Sequence, residues 1–250
     1  MAVMPHMRII TVTTMSTTNI KSLTQDEQAD SVAQFRLWQL ISPALPIGGY
    51  AYSQGLEYAV ESGWVSNEQD MQQWISGMLR HMHQQLDLPV LVRIFRAWCA
   101  YDRATVQYWN DYLLASRESS ELLQEDCQLG RALAVLLRDL ECKNLAILNK
   151  DELSLATALA AAGSEWAISV NMLAQAYLWI WVENQIAAAI KLIPLGQTAG
   201  QRILYAVSAL LADVVTRAME VNDDDIGQSA MALAIARARH ETQHTRIFRS

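Results

Sequence analysis

From Met71 to Met82 the apolar side chains of Met71, Trp74, Ile75, Met78, Leu79 and Met82 recur at three- and four-residue steps, the period of one face of an α-helix. A half-buried strand needs alternation at every second residue. That pattern is nearly absent from the chain, as are the Asn-Gly and Asp-Gly pairs that turn a hairpin. The sequence therefore reads as all-α, a single helical-bundle-like domain of roughly ten helices with no significant β-sheet.

Ser66-Asn67-Glu68-Gln69, just ahead of the stripe, has the spacing of a capping box. A short helix marked by Leu37, Leu40 and Ile41 must end before Pro43 and Pro46, since proline lacks an amide donor and restricts its predecessor. Ser53 is placed to cap the next helix, where Glu57 and Glu61 share one face. Later helices are expected over 88–101, 104–116, 119–140, 153–162, 165–190, 199–220 and 227–242. In domain terms, residues 1–30 read as a disordered extension, 31–236 as the helical domain and 237–250 as a basic tail.

The chain of 250 residues is 52% hydrophobic and only 18% charged, more apolar than an ordinary soluble surface requires. That surplus is expected to go into a core or a subunit contact. The stretch 166–182, WAISVNMLAQAYLWIWV, is nearly long enough to span a bilayer. Ser169, Asn171 and Gln175 interrupt it and no Lys/Arg cluster marks an inner end, so it reads as a buried central helix. The first thirty residues lack the apolar run of a signal peptide. Cys99, Cys127 and Cys142 are odd in number and widely spaced, which suits a reducing cytoplasm better than a disulfide framework.

A net charge of −7 argues against nucleic acid as a partner. The charge is uneven: from Gly227 onward Arg237, Arg239, Arg246 and Arg249 face a lone Glu241, a basic end on an acidic body.

That basic end opens with His240-Glu241-Thr242-Gln243-His244, the HExxH spacing of a zinc hydrolase. On a helix the two histidines would share a face, with Glu241 as base. The rest of such a site is not written. The extended motif would need Gly at Ile247 and His at Ser250, and no acidic residue follows His244. No phosphate loop, dinucleotide fingerprint or nucleophile elbow occurs elsewhere. The zinc hydrolase stays as the alternative; the first reading is a non-enzymatic protein with no catalytic, metal or cofactor residues of its own.

Three stretches carry more specification than core packing demands: SPALPIGGYAYSQGLE from Ser42, KLIPLGQTAGQ from Lys191, and RHETQHTRIFRS from Arg239. In that order they resemble the urease accessory protein UreF family, whose pattern runs SPxLPxGxxxYSxGLE, then (K/R)LxPLGQxxxQ, then HETQYTRLFRS. The resemblance spans about residues 35–250. The family's tail usually carries an aromatic residue where this chain has His244, so the zinc motif looks like a one-residue coincidence.

The resemblance implies an all-α homodimer that assembles the nickel centre of urease without catalysing a reaction, bridging the accessory protein UreD/UreH and the GTPase UreG on the urease apoprotein. No resident cofactor is implied. Arg239, His240, Glu241, Arg246, Phe248 and Arg249 are expected to order on UreD/UreH, Arg246 and Arg249 through forked hydrogen bonds and Phe248 in a pocket. The other possibility is a tail folded on its own chain. Glu57 and Lys191 sit beside tightly specified loops and are assigned to the GTPase, although Glu57 could simply favour its helix dipole and Lys191 could snorkel. Gln197, re-aimed by the same helix break as Lys191, is a further partner-binding residue. Tyr52 and Ser53 are weaker partner candidates, since a cap and packing would also explain them.

Overall fold

The computed structural model describes residues 25–147, 152–227 and 231–249. They form ten α-helices: α1 (Gln25–Leu40), α2 (Leu56–Glu61), α3 (Glu68–Met78), α4 (Leu88–Cys99), α5 (Arg103–Ala115), α6 (Ser120–Asp139), α7 (Leu155–Glu165), α8 (Val170–Leu192), α9 (Gln197–Glu220) and α10 (Met231–His240). No strand occurs among the described residues, so the fold is all-α. α1 starts inside the stretch expected to be an extension; residues 1–24 lie outside the described residues.

α8 is the axis of the molecule. It packs on α1, α2, α3, α4, α7 and α9, which is why its sequence is apolar on all sides. The apolar stretch 166–182 is broken rather than continuous: α7 ends at Glu165, Ala167 takes a left-handed φ of 56°, and Ser169 caps α8 by accepting from the Met172 amide. No helix among the described residues is long and apolar enough to cross a membrane.

The stripe from Met71 behaves as its period requires. Met71, Ile75, Met78 and Leu79 are buried in the core, while Trp74 is half-buried and donates from Nε1 to Gln185 Oε1 on α8 at 3.2 Å. The cap differs by one residue from the expected box. Asn67, not Ser66, accepts from the Asp70 amide at 3.0 Å, and Ser66 instead donates to the Asp70 carboxylate.

Between α3 and α4 the helix widens into a π-helical segment, Leu79–Asp87. Pro89 supplies a physical reason. It has no N–H to offer the carbonyl of Gln85, and that carbonyl is taken by the Gly227 amide at 3.1 Å. The segment turns His83 and Asp87 into the interior, where both are almost fully buried.

α6 and α7 approach so closely at Gly130 that a Cβ there would lie 2.0 Å from the Leu153 carbonyl oxygen. Helix propensity alone favours Gly130→Ala by about 1 kcal/mol, but the backbone clash should dominate. We expect a net destabilisation of about 3 kcal/mol in urea unfolding; a neutral or stabilised variant would contradict this packing.

Candidate functional site

The loop from Ser42 to Gly55 leads into α2 and presents its carbonyls and side chains to the tail. Gly48 and Gly55 have φ of 79° and 85°, and Gln54 has 54°. Gly55 is required twice over, because a Cβ would also sit 3.2 Å from the backbone nitrogen of Arg237 on α10. The loop is pinned from below. Tyr52 donates to Gln128 Oε1 at 2.5 Å, Gln54 bridges Glu125 and the Trp181 indole at 2.6 Å each, and Gln185 Nε2 donates to the Ser53 carbonyl at 2.9 Å. Ser53 is not the N-cap of α2, a position held by Gly55; its hydroxyl accepts a long 3.4 Å bond from the Glu57 amide.

Glu57, in the first turn of α2, is buried and holds the tail. Its Oε1 accepts from the Ile247 amide at 2.6 Å and its Oε2 from the Phe248 amide at 3.0 Å. The same Oε2 lies 3.1 Å from Nε2 of His240. On the other side of the ring, His240 Nδ1 lies 2.9 Å from Oε2 of Glu121 on α6, whose Oε1 accepts from Arg246. Glu241 Oε1 accepts from the Ser120 hydroxyl at 2.8 Å and the Glu121 amide at 3.2 Å. These bonds at the positive end of α6 hold the Glu241 carboxyl below its usual range, the Ser120 hydroxyl contributing most.

Two further contacts close the clasp. Phe248 is buried with its ring 5.4 Å from the Lys191 ammonium nitrogen, and the Arg249 amide donates to the Ala51 carbonyl at 2.9 Å. The two specified loops and the tail therefore converge on one place. Glu57, Lys191, His240, Glu241, Arg246 and Phe248 are brought together there. Tyr52 and Ser53 lie buried beneath it, and Arg239 and Arg249 present exposed side chains.

Gln197 is not part of the cluster. It lies at the exposed start of α9, on the rim of a separate groove of about 280 Å3 whose walls include Leu45, Ile47, Tyr50, Ile190 and Leu204. Glu183 lines this groove, and burial there pushes its carboxyl above the usual range.

The placement changes the expected roles. Glu57, His240 and Phe248 face inward, where the buried Glu57 carboxylate accepts from the tail's own amides and faces the His240 ring. The tail is folded on its own chain in this conformation. The HExxH geometry is absent as well: α10 ends at His240, so His244 does not follow it on a helical face and lies exposed, while both His240 ring nitrogens face carboxylates. No group of three or more His, Cys, Asp or Glu side chains among the described residues is arranged to hold a metal ion.

Sequence reasoning missed Glu121 and Arg237. In sequence Arg237 reads only as one of the basic residues of the chain's end and Glu121 does not stand out; tertiary structure shows that they point inward. Arg237 on α10 is buried, donating to Glu118 Oε2 at 3.2 Å and to Met82 Sδ at 3.1 Å. Beside it, Arg117 joins Asp87 at 2.8 Å to Asp126 at 2.6 Å. Burial works to raise the Asp87 carboxyl, but the Arg117 charge, the adjacent His83 and a hydrogen bond from Arg117 outweigh it and leave Asp87 well below the usual range.

Compared with known proteins, residues 65–208 match the UreF family model. A urease accessory protein UreF from Alkalilimnicola ehrlichii is 46% identical over 225 residues, covering 90% of this chain and 99% of that protein. Those of Alcanivorax borkumensis and Teredinibacter turnerae are also 46% identical, covering 87% and 86% of this chain and 98% and 97% of theirs.

Removing the Glu57 carboxylate leaves two backbone amides and His240 without their acceptor. Glu57→Ala should therefore loosen the tail by about 3 kcal/mol. Limited trypsin digestion should show cleavage near Arg239 and Arg246 at least about tenfold faster than in the unsubstituted chain, with the helical body cut at its original rate. Unchanged tail cleavage would contradict the clasp.

Proposed function

Because the chain belongs to the UreF family of urease accessory proteins, we propose that it acts in the cytoplasm as a non-catalytic scaffold in urease maturation, bridging UreD/UreH and the GTPase UreG on the urease apoprotein while nickel, the cargo, is inserted. The observation that carries this reading is the use made of the most chemistry-like residues. His240 and Glu241 are committed to holding a segment of backbone in place, at 2.8–3.2 Å from fixed partners. What the clasp then offers to the outside is a surface.

On that surface Met231, Ile235 and Ile247 are exposed apolar residues, and Arg239 and Arg249 are exposed cations of the same segment. Apolar anchors flanked by arginines are the composition of a protein-binding patch. We assign this face to UreD/UreH. Phe248, His240 and Glu57 contribute by shaping it from within. For the GTPase Lys191 remains the candidate, at the junction of the tail and the α8–α9 break, joined now by Gln197 on the rim of the neighbouring groove, while Glu57 is buried beneath the tail. Tyr52 and Ser53 support that region from below.

A homodimer fits the unpaired apolar stripe of α1, where Val32, Phe35 and Trp38 are exposed at three-residue steps. Sedimentation of the Trp38→Asp variant should show a monomer if this stripe is the contact.

Ile247→Asp tests the outer face, since the Ile247 side chain is exposed while its amide stays bound to Glu57. Binding to UreD/UreH and urease activation should fall by about tenfold or more, with the tail as resistant to trypsin as before. His244→Tyr should be fully active, whereas a zinc hydrolase using HETQH would lose its metal and turnover with that change. Intact binding by Ile247→Asp would refute the assignment of this face.

A further inference from the structure

His83 belongs neither to the clasp nor to the proposed partner surface. It sits on the π-helical segment at 1% exposure, edge-on to the rings of Trp181 and Tyr177 on α8 at 4.5 and 5.8 Å. It lines an interior cavity of about 50 Å3 together with Asp87, Arg117, Tyr177 and Arg237. His83 Nδ1 lies 3.2 Å from Asp87 Oδ2, within ion-pair distance but off the line a hydrogen bond needs. Neither ring nitrogen, nor Asp87 Oδ2, nor Arg237 Nε, makes a hydrogen bond among the described residues.

The charged and titratable groups around this cavity come from every element packed on it. Asp87 lies on the same segment as His83. Arg117 and Glu118 lie on the α5–α6 link, Glu125 and Asp126 on α6, Tyr52 on the loop, Tyr177 on α8 and Arg237 on α10. The two guanidinium groups are held very differently. Arg117 is fixed by bonds to two aspartates at 2.6–2.8 Å. Arg237 pairs with Glu118 at the longer distance of 3.2 Å, and its helix packs chiefly against α2.

We propose that His83 is an acid-operated release for α10 and the tail. An imidazolium formed in this cavity adds a positive charge beside Arg237, and the element free to carry a charge away is α10. As Arg237 leaves, His240 on the same helix leaves Glu57 and Glu121, and the Phe248 anchor follows.

The direction in pH follows from burial. Desolvation lowers the His83 pKa, Asp87 opposes it, and the charges of Arg237 and Arg117 add to the lowering. The docked state thus resists a proton that the released state accepts. Docking is intact above the ordinary histidine value of about 6.5 and weakens as the pH falls below it.

The test is hydrogen exchange of the full, partner-free chain at about pH 7.5 and 5.5, corrected for intrinsic chemistry. Protection of 231–249 should fall at least about tenfold on acidification, with α4 and α7 unchanged. In His83→Gln, which cannot charge, most of that fall should disappear, while other acid-sensitive contacts of the tail remain. No fall in the unsubstituted chain, or an equal fall in the variant, overturns the proposal. Should His83→Gln not fold, the His83 ring followed by NMR in the unsubstituted chain decides: it must titrate together with α10 release, and titration at a clearly different pH overturns the proposal. None of these readouts involves a partner, so they stand or fall apart from the scaffold reading.

Discussion

A buried carboxylate must be compensated or the element that carries it will not stay buried. Glu57 meets that demand with two backbone amides and an imidazole, all contributed from the far end of the chain. The rest of the site depends on this exchange. The tail gains an acceptor for amides that no helix or strand would satisfy, and α2 gains compensation for a charge in its first turn. Glycine at position 55 lets α10 come close enough for the exchange, and Gln54, Trp181 and Gln185 hold the loop against α8 so that Glu57 has a fixed position.

The interior repeats the same logic at greater depth. Pro89 cannot complete the helical hydrogen bond to Gln85, the chain widens, and His83 and Asp87 turn inward. Asp87 is tolerated there because Arg117 links it to Asp126, whose second oxygen accepts from the Leu155 amide at the start of α7. A missing backbone donor on one helix thus ends as a charge network joining the α3–α4 run, α6 and α7. Arg237 brings α10 to the edge of that network, which places the tail's support and the buried ionic core in contact.

Much of this could be read before any coordinates. The stripe from Met71, a buried apolar helix over most of 166–182 and the two proline-glycine loops announce themselves through period and composition, since local sequence sets where helices can start and stop. The break at 166–169 was not expected. Glu57 and Lys191 were singled out for one partner and the tail residues for another. That they meet in one cluster was not legible, and neither was their orientation. Whether a charged residue in a first turn points to solvent or to a segment almost two hundred residues away is decided by tertiary packing, and sequence carries no sign of it. Glu121 and Arg237 were hidden for the same reason. The Ser66–Asn67 cap was displaced by one because both residues can cap, and Asp70 decided between them by binding Ser66 with its carboxylate.

The central claim is that the tail is held on its own chain through Glu57, so that the protein works by presenting a preformed surface. The most direct measurement is residue-resolved exchange of the Ile247 and Phe248 amides in the free protein at neutral pH. Bound to a buried carboxylate, they should exchange at least about a hundredfold more slowly than in an unstructured peptide. Exchange at the unstructured rate would mean that the clasp does not form without a partner, and would contradict the account.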